Sequence, residues 1–496
     1  MESEINKING EKRSSFLLNN TIIFAVSIFG TKILSFFLLP LYTNVLTTTQ
    51  YGQIDLTTTI NSLLPFFLTL CISDAVLRFV MEKKEDQKKI LTYAMKIIGI
   101  GTLILTIGLG VCFVTNIINS SNKYYLFLVL LFPLDAFRTL FSSFLKGIEK
   151  TKDILIESLI STFLTLTLTI ITVVVLKWGV FGYLGSSVLG LVFGCLYYYL
   201  RIRKETGKLI EPGIAAELKR QMILYSLPLI LNGLSWWINA SSDKFIINMF
   251  WGESENGIYS VAGKVASILT MVTNIFAQAW TLSSIKSCQD DDYGDFFSNI
   301  YNSYNALLLI GASFLILINQ PLSKFLFAKD FFIANESSSI LVVSIIFNSL
   351  ASFLSGAFSA FKNNRVLAIS TIISAVINIG LNFLLIPKLG CVGAATATVI
   401  SFIVLWLLRL YFAKKYIKIK SNFILNIFSY ILILIQLVCD HLAGRYYFVQ
   451  GIIFVLLFVI NFKYIMKIAQ IILCKLVSLF RRNKNEEVWF LVCIRS

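Results

Sequence analysis

The sequence predicts an all-α integral membrane protein with about 14 transmembrane helices, and three observations lead to this fold class. Of 496 residues, 56% are hydrophobic and 14% are charged, against about 25% charged in soluble domains. The apolar residues form long runs, and a helix needs about 20 of them to cross a bilayer. Helices and closed barrels alone satisfy their backbone in lipid, and these runs are too long and too uniformly apolar for barrel strands.

The first run, 16–42, is too long for a cleaved signal peptide and lacks a small-residue cleavage site, so we expect a retained helix. The other predicted spans follow at short intervals, and they cover residues 54–80, 97–118, 124–146, 154–176, 179–200, 222–250, 258–285, 299–322, 338–361, 366–387, 389–408, 421–439 and 446–462. The tail, 467–496, is basic and is predicted to be cytoplasmic or to lie along the inner surface.

The basic residues predict the orientation. With the N-terminus inside, most of the 43 Lys and Arg residues fall in cytoplasmic segments, as the positive-inside rule requires. The predicted outside segments hold only Lys123, Lys177, Lys324, Lys329, Lys388 and Arg445. We therefore expect a multi-pass protein of the cytoplasmic membrane with both termini inside. The same asymmetry explains the net charge of +16, so a nucleic-acid partner is not expected.

Two pairs of similar segments indicate an internal repeat. Lys177–Gly182 and Lys388–Gly393 share K-x-G-x-x-G between two spans, and Leu46–Gly52 is similar to Trp251–Gly257. Parallel six-helix repeats are a transporter architecture with the substrate site at the repeat interface. The predicted organisation is one six-helix lobe at 1–205, a second at 206–415 and two further transmembrane helices at 416–466.

Two lysines lie within spans without a carboxylate three or four residues away. Lys32 is in the first span and Lys264 is in the eighth. Charged residues at membrane depth are costly and are by default candidates for function. We therefore predict that both ammonium groups face water or an anionic ligand.

The other charges within the spans have two open interpretations. Asp135 with Arg138, and Asp74 with Arg78, are spaced to pair along one helix face. Such pairs either belong to a functional site or fix helix packing. Asp243 and Lys244 lie in the outer part of the seventh span, where the lysine could extend towards the interface. The three aspartates of these groups, Asp74, Asp135 and Asp243, are candidates for binding a coupling proton or sodium ion.

Aromatic and amide side chains in the seventh and eighth spans are candidates for sugar contact. Trp236, Asn239 and Gln278 offer a ring for stacking and amides for hydroxyl groups. The alternative for the tryptophan is an interfacial aromatic belt. Gly190-x-x-x-Gly194 is predicted to be a helix-packing face instead, since small residues let helix backbones approach closely.

Motifs of common enzymes are missing from the sequence. It has no G-x-x-x-x-G-K-[ST] phosphate loop, no G-x-S-x-G and no H-E-x-x-H, each of which has a defined chemical role. The one histidine, His441, and eight cysteines without a C-x-x-C pair give no metal-site pattern. We therefore expect no enzyme activity and no bound cofactor or metal.

Two motifs resemble those of a known transporter family. Pro40-Leu-Tyr-Thr-Asn-Val-Leu-Thr-Thr-Thr-Gln-Tyr-Gly52 resembles the segment that ends the first helix of Wzx-type oligosaccharide flippases. Trp237–Asp243 with Gly257–Ala262 resembles their second-half signature. These flippases belong to the multidrug/oligosaccharidyl-lipid/polysaccharide exporter superfamily. The resemblance covers residues 10–470.

The resemblance implies two lobes in a V, with alternating access to a central cationic cavity. Family positions that line that cavity match Lys32, Arg78 and Lys264. Arg138, near mid-span in the fourth predicted helix, is a further candidate to bind the pyrophosphate. Two of the matches are Lys where relatives carry Arg, and Lys lacks the bidentate fork of Arg, so the fine geometry does not carry over.

The resemblance implies a substrate and partners. The substrate would be an undecaprenyl-pyrophosphate-linked oligosaccharide repeat unit moved across the membrane for capsule or similar polysaccharide. Its partners would be membrane lipid and, as a candidate, the polysaccharide polymerase machinery.

Three alternatives remain open. A drug or cation antiporter of the same superfamily would want an acidic cavity. A membrane-embedded glycan polymerase or ligase would need a sizeable external loop. The third alternative is a flippase for lipid II, the peptidoglycan precursor, which the sequence distinguishes poorly from an oligosaccharide flippase.

Overall fold

A computed structural model describes most of the chain in terms of α-helices. It covers residues 36, 38–83, 86–116, 122–207, 210–211, 213–287, 293–361, 364–417, 419–442, 446–467 and 470. Lys32 and nearly all of the first predicted span therefore lie outside the described residues, as does most of the basic tail.

The described helices are, in chain order, α1 (Leu39–Val45), α2 (Thr48–Leu68), α3 (Ile72–Glu82), α4 (Gln87–Val114), α5 (Leu128–Gly147), α6 (Thr151–Thr169), α7 (Gly179–Thr206), α8 (Ala216–Ser287), α9 (Tyr293–Leu317), α10 (Asn319–Leu326), α11 (Ala334–Ala360), α12 (Asn364–Ala413), α13 (Phe423–His441) and α14 (Tyr447–Ile460). Short 3₁₀ turns occupy Lys123–Phe127 and Lys329–Ile333, and a π-helix, Ile170–Val175, extends α6. Among the described residues there is no strand, so the all-α prediction is confirmed.

Local sequence explains the helix boundaries. Thr47 and Gln50 form a capping box that starts α2, in which the Thr47 hydroxyl accepts from Gln50 N at 3.1 Å. This satisfies backbone donors that the first helical turn leaves open. Gly252, with φ 83°, breaks α8 into two helices, and Gly390, with φ 53°, breaks α12. Both are backbone conformations that glycine adopts without steric cost.

Within the described residues, nine helices are long and apolar enough to cross a membrane, or ten if α2 and α3, bent by 56°, form one span. Separating α8 and α12 at their glycine breaks, and adding the shorter apolar α14, gives helices at the second to fourteenth predicted positions. The chain is thus a multi-pass membrane protein, and the predicted count of about 14 is consistent with the structure.

The helices divide into two compact units. Unit 1 is Met1–Ser260 with Leu326–Phe331, and unit 2 is Val261–Phe325 with Phe332–Ser496. Unit 1 thus includes the first helix of α8 and extends beyond residue 205. The predicted boundary between two repeated lobes at residue 205 stays a prediction.

Each unit has its own packed core. In unit 1, apolar side chains of α3, α4, α5 and α7 are buried together, among them Ile72, Ile90 and Phe144. In unit 2, aromatic rings stack, and the ring centroids of Trp280 and Phe353 lie 4.2 Å apart. Trp280 Nε1 also donates to the Phe353 carbonyl at 2.9 Å, so this tryptophan is a core residue.

Candidate functional site

The two repeat-related motifs contact each other within unit 1. A Cβ placed on Gly52 would lie 1.8 Å from the backbone oxygen of Glu253, and one on Gly257 would lie 2.1 Å from that of Thr48. Each glycine therefore packs on the other motif, against the residue that stands four positions before its counterpart. Such reciprocal contact is the pattern of a twofold-related pair, and it is what an internal repeat predicts.

Polar side chains reinforce this contact. Thr48 Oγ1 and Ser254 Oγ are hydrogen-bonded at 2.8 Å, and Gln53 Nε2 donates to Glu253 Oε2 at 2.8 Å. The Tyr124 hydroxyl donates to the other oxygen of Glu253. We call the contact among Thr48, Gly52, Gln53, Glu253, Ser254 and Gly257 the motif contact. In the predicted topology it lies on the outer side of the membrane.

An ion pair joins α2 to the first helix of α8. Lys244 Nζ lies 2.9 Å from Asp55 Oδ1, and both side chains are mostly buried. A carboxylate from another helix thus holds the ammonium group of Lys244, for which the sequence left extension towards the interface as one possibility. Neighbouring Asp243 is buried and accepts hydrogen bonds from Lys244 N and from the Tyr259 hydroxyl.

Arg138 pairs with a different carboxylate from the one predicted. Its Nε and Nη2 donate to the two oxygens of Glu157, at 2.7 and 3.0 Å, and the Tyr198 hydroxyl donates to Glu157 at 2.7 Å. Asp135 instead accepts from Asn61 Nδ2 at 3.2 Å. The predicted Asp135–Arg138 pair is thus replaced, since Glu157 on α6 offers the fork geometry that a guanidinium prefers.

Small residues on α7 make room for this pair. A Cβ on Gly194 would lie 2.3 Å from Glu157 Oε1, and one on Gly190 would lie 1.9 Å from Thr165 Oγ1. Ser161 Oγ also donates to the Gly190 carbonyl at 3.0 Å. The prediction that Gly190-x-x-x-Gly194 is a helix-packing face is confirmed.

The predicted Asp74–Arg78 pair is also replaced. Arg78 Nε lies 2.9 Å from Glu82 Oε1, one helical turn towards the C-terminal end of α3. The guanidinium carbon of Arg78 lies 4.7 Å from the centre of the Tyr225 ring. Asp74 and Arg78 are both exposed on the same side of α3, but they do not form a salt bridge with each other.

Lys264 lies on the helix of α8 that follows the break at Gly252. It is exposed on unit 2, whereas its neighbours Ala262, Val265 and Ala266 are buried. Asn274, ten residues further along the same helix, is also exposed. Among the described residues, no carboxylate forms an ion pair with Lys264.

The proposed sugar-contact residues are in different environments. Trp236 is half-buried. Asn239 is buried, and its amide donates to the Ser235 carbonyl at 3.1 Å. Gln278 lies on α8, but its side chain is outside the described residues.

Sequence reasoning missed several polar groups that have partners on other helices. Asp55 and Glu253 were not singled out, although each lies in or beside a span. Arg409 directly follows the predicted span 389–408, yet it is buried and donates to the Ala351 carbonyl at 2.9 Å and to Ser355 Oγ at 2.7 Å. Their partners lie on other helices, so only the tertiary structure reveals them. Within the described part of the chain, no group of three His, Cys, Asp or Glu side chains could hold a metal ion.

The family follows from comparison with known sequences. Residues 17–281, more than half of the chain, match the family described as "Polysaccharide biosynthesis protein". The chain belongs to this family. Residues 266–463 match the family "Lipid II flippase MurJ". The resemblance to flippases of the exporter superfamily is thereby confirmed.

Two curated proteins illustrate how far the sequence similarity extends. "Probable low-salt glycan biosynthesis flippase Agl15" of Haloferax volcanii is 29% identical over 212 residues, covering 41% of this chain and 44% of Agl15. The match therefore spans less than half the length of that relative. The uncharacterized membrane protein MJ1375 of Methanocaldococcus jannaschii is 24% identical over 382 residues, which is 73% of this chain and 88% of MJ1375.

Solved structures share the fold. The lipid II flippase MurJ in an inward closed conformation aligns with a TM-score of 0.69 at 18% identity, over 89% of this chain and 98% of MurJ. An inward-facing multidrug resistance MATE family transporter gives 0.66 at 15% identity, over 79% and 97%. A superfamily transporter from Pyrococcus furiosus, described as having a binding pocket of reverse polarity, gives 0.59 at 13%, over 80% and 95%. At these identities the likeness shows the fold alone.

Proposed function

We propose that this protein is a flippase for a lipid-linked oligosaccharide. It moves an undecaprenyl-pyrophosphate-linked repeat unit from the inner to the outer leaflet of the cytoplasmic membrane, where the glycan enters capsule or a similar surface polysaccharide. Both termini lie on the cytoplasmic side. Membership of the polysaccharide biosynthesis family and the superfamily fold support a transporter rather than an enzyme.

The observation that supports the proposal most is the exposure of Lys264 on an apolar helix. An ammonium group on an apolar, membrane-spanning helix is costly unless it faces water or an anion. Lys264 is exposed, and no carboxylate of the described residues forms an ion pair with it. Its positive charge is therefore available to a pyrophosphate. Charge-assisted hydrogen bonds to phosphate are about twice as strong as neutral ones, so one such contact contributes substantially to substrate binding.

The other predicted residues divide by their surroundings. Arg78 is exposed beside Glu82. Arg78 and Lys32 both stay candidate phosphate ligands because of the family resemblance. Arg138 is largely committed to Glu157, so we assign it a structural role. Trp236 and Gln278 remain candidates for glycan contact.

Coupling to a proton or sodium ion is proposed for an aspartate. Asp74 is exposed on α3, whereas Asp135 and Asp243 are hydrogen-bonded within unit 1. The exposed carboxylate of Asp74 is the most accessible of the three to an ion from water.

Alternating access would require the motif contact to separate. Thr48 Oγ1 and Ser254 Oγ are 2.8 Å apart, so cysteines at these positions can reach disulfide geometry. We expect Thr48→Cys with Ser254→Cys to lose transport under oxidation and to recover it with a reductant. Each single cysteine variant is the control. Full transport by the oxidised, cross-linked pair contradicts separation of the motif contact.

The transport role is tested in cells that depend on this chain for surface polysaccharide. Lys264→Ala should lower surface polysaccharide and accumulate the lipid-linked precursor at the inner leaflet. Lys388→Ala is the matched control, because this lysine is exposed next to the Gly390 break. Normal polysaccharide in Lys264→Ala cells at equal protein level refutes the anion-binding role.

A lipid II flippase is the second candidate, favoured by the match of residues 266–463 to the MurJ family. The two functions differ in the glycan and share the lipid pyrophosphate. Rescue of cells depleted of their lipid II flippase would favour lipid II, and rescue of polysaccharide export alone would favour the repeat unit. A drug antiporter of the superfamily would instead change dye efflux.

A further inference from the structure

Two short 3₁₀ turns occupy equivalent positions in the two halves of the chain. Lys123–Phe127 leads directly into α5, and Lys329–Ile333 leads directly into α11. Each turn has five residues and begins with a lysine, and the second turn starts 206 positions after the first. The motif glycines Gly52 and Gly257 are 205 positions apart, so the turns fit the same internal repeat as the motifs.

Each turn contacts the motif that lies in the other half of the chain. The hydroxyl of Tyr124, in the first turn, donates to Glu253 of the second motif. The ring of Phe331, in the second turn, meets the ring of Tyr51 of the first motif edge-on, with 5.8 Å between the centroids. All three aromatic side chains are buried. The two turns thus make crossed contacts, which is the pattern of a twofold-related pair.

The second turn is part of a longer segment that is attached to the first half of the chain. This segment, Leu326–Phe331, belongs to unit 1, although the chain on both sides of it belongs to unit 2. The buried hydroxyl of Thr43 donates to the carbonyl of Leu326 at 2.8 Å and accepts from the backbone N–H of Ala328 at 3.3 Å. One threonine of the first half therefore fixes the backbone of the segment at two points.

The backbone of the segment is also held in an unfavourable conformation. Lys329 has a φ of 53°, which lies in the left-handed region that side chains other than glycine seldom adopt. Its Nζ donates to the carbonyl of Asn44 at 2.8 Å. Such a conformation persists only where the surrounding contacts hold it. The path of the segment therefore depends on its contacts with the first half, and it can relax when they break.

All of these contacts join the first half of the chain to the second. Thr43, Asn44, Tyr51 and Tyr124 come from the first half, and their partners come from the second half. The motif contact joins the same two halves. Separation of the motif contact therefore requires the contacts of both turns to break with it.

We propose that the turn Lys123–Phe127 and the segment Leu326–Phe331 are two latches that hold the motif contact closed on the outer side of the membrane. The first latch uses a hydrogen bond to a carboxylate. The second latch uses a buried ring and hydrogen bonds to the backbone. The outer position comes from the predicted topology, and this inference rests on the alternating access that belongs to the proposed function.

The test measures opening of the motif contact in the full-length protein purified in detergent. Thr48→Cys places a thiol at a buried position of this contact, and mass spectrometry of the peptide that contains residue 48 gives its rate of modification by a maleimide. We expect slow modification, because the reagent reaches the thiol only when the contact opens. Cys391, which is buried in unit 2, reports global unfolding in the same sample.

Two variants weaken one latch each in the Thr48→Cys protein. Tyr124→Phe removes the hydroxyl that donates to Glu253, and Thr43→Val removes the hydroxyl that holds the second latch. Loss of a hydrogen bond to a charged group should raise the rate at residue 48 by about tenfold or more in Tyr124→Phe. Loss of neutral hydrogen bonds should raise it by about two- to tenfold in Thr43→Val. Modification of Cys391 should stay as slow as before.

Tyr197→Phe and Thr57→Val are the matched controls. The Tyr197 hydroxyl also donates to a carboxylate, that of Asp153, at 3.3 Å. The buried hydroxyl of Thr57 donates to the carbonyl four residues earlier in its own helix, at 2.8 Å. Neither hydrogen bond joins the two halves of the chain, so both controls should leave the rate at residue 48 unchanged.

An unchanged rate at residue 48 in Tyr124→Phe or in Thr43→Val overturns the proposal for the corresponding latch. A rate that rises equally in the controls, or together with modification of Cys391, also overturns it, since it shows a general loss of stability. The assay contains no lipid substrate, so its outcome is separate from that of the transport test. Variants that open at residue 48 support the latches even in a protein that moves no lipid pyrophosphate.

Discussion

The Arg138–Glu157 pair gives the most quantitative prediction. Glu157 is 0% exposed and Arg138 is 31% exposed. Glu157 accepts two hydrogen bonds from the guanidinium and one from Tyr198. Replacing Glu157 by Leu leaves a partly buried guanidinium without its carboxylate. Breaking a buried pair lowers the free energy of unfolding by about 3–5 kcal/mol. Because Arg138 is partly exposed, we expect Glu157→Leu to cost about 3 kcal/mol.

The measurement is thermal unfolding of the purified protein with Glu205→Leu as control. Glu205 pairs with Lys150 at 2.9 Å, but those side chains are 29% and 43% exposed, and surface pairs contribute about 0–1 kcal/mol. We expect Glu157→Leu to lower the melting temperature by about 3 °C, because the entropy of unfolding scales with chain length, and we expect the control to change it by less than half as much.

A double variant separates structure from transport. Adding Arg138→Leu to Glu157→Leu removes the stranded charge, so the double variant should be more stable than Glu157→Leu alone. Because Arg138 is committed to Glu157, the double variant should also retain transport. Equal melting of Glu157→Leu and Glu205→Leu, or a double variant no more stable than the single one, refutes this reasoning.

Two further predictions concern helix packing in unit 1. Gly190→Ala places a methyl group 1.9 Å from Thr165 Oγ1 and should destabilise the protein by about 1–3 kcal/mol; Gly185→Ala, with nothing within 4 Å, should be neutral in the same melting assay. Lys244→Met leaves the Asp55 carboxylate, 15% exposed, without its cation and should cost about 3 kcal/mol. Adding Asp55→Asn should restore part of that loss in thermal unfolding, and no recovery contradicts the pairing.

The membrane-spanning helices could be predicted from the sequence because each span is a long run of mostly apolar residues. The run 97–118 is mostly apolar, and α4, Gln87–Val114, covers the greater part of it. Gly252 and Gly390 lie in repeated motifs that were predicted to link two spans, and the structure breaks the helix at both, but their backbone conformation was not predicted. The left-handed backbone at these positions is a local conformation that a glycine permits without requiring.

Charge pairing could not be derived from spacing along the chain. Asp135 and Arg138 are three residues apart, yet Arg138 pairs with Glu157 on another helix. Lys244 and Asp55 are separated by 189 residues, and their meeting depends on how α2 packs on α8. For Lys264, the sequence shows no carboxylate three or four residues away, and no ion pair to it is present among the described residues; the predicted contact with water or an anion stays a prediction.

The central claim is that the protein moves a lipid pyrophosphate through contact with Lys264. The most direct measurement reconstitutes the purified protein in liposomes and follows transfer of a labelled undecaprenyl-pyrophosphate oligosaccharide between leaflets. The account predicts that the wild type and Lys388→Ala accelerate transfer and that Lys264→Ala is slower by about tenfold or more, since a charged hydrogen bond contributes about 1.5–3 kcal/mol. Transfer by Lys264→Ala at the wild-type rate, or no acceleration by the wild-type protein, would contradict it.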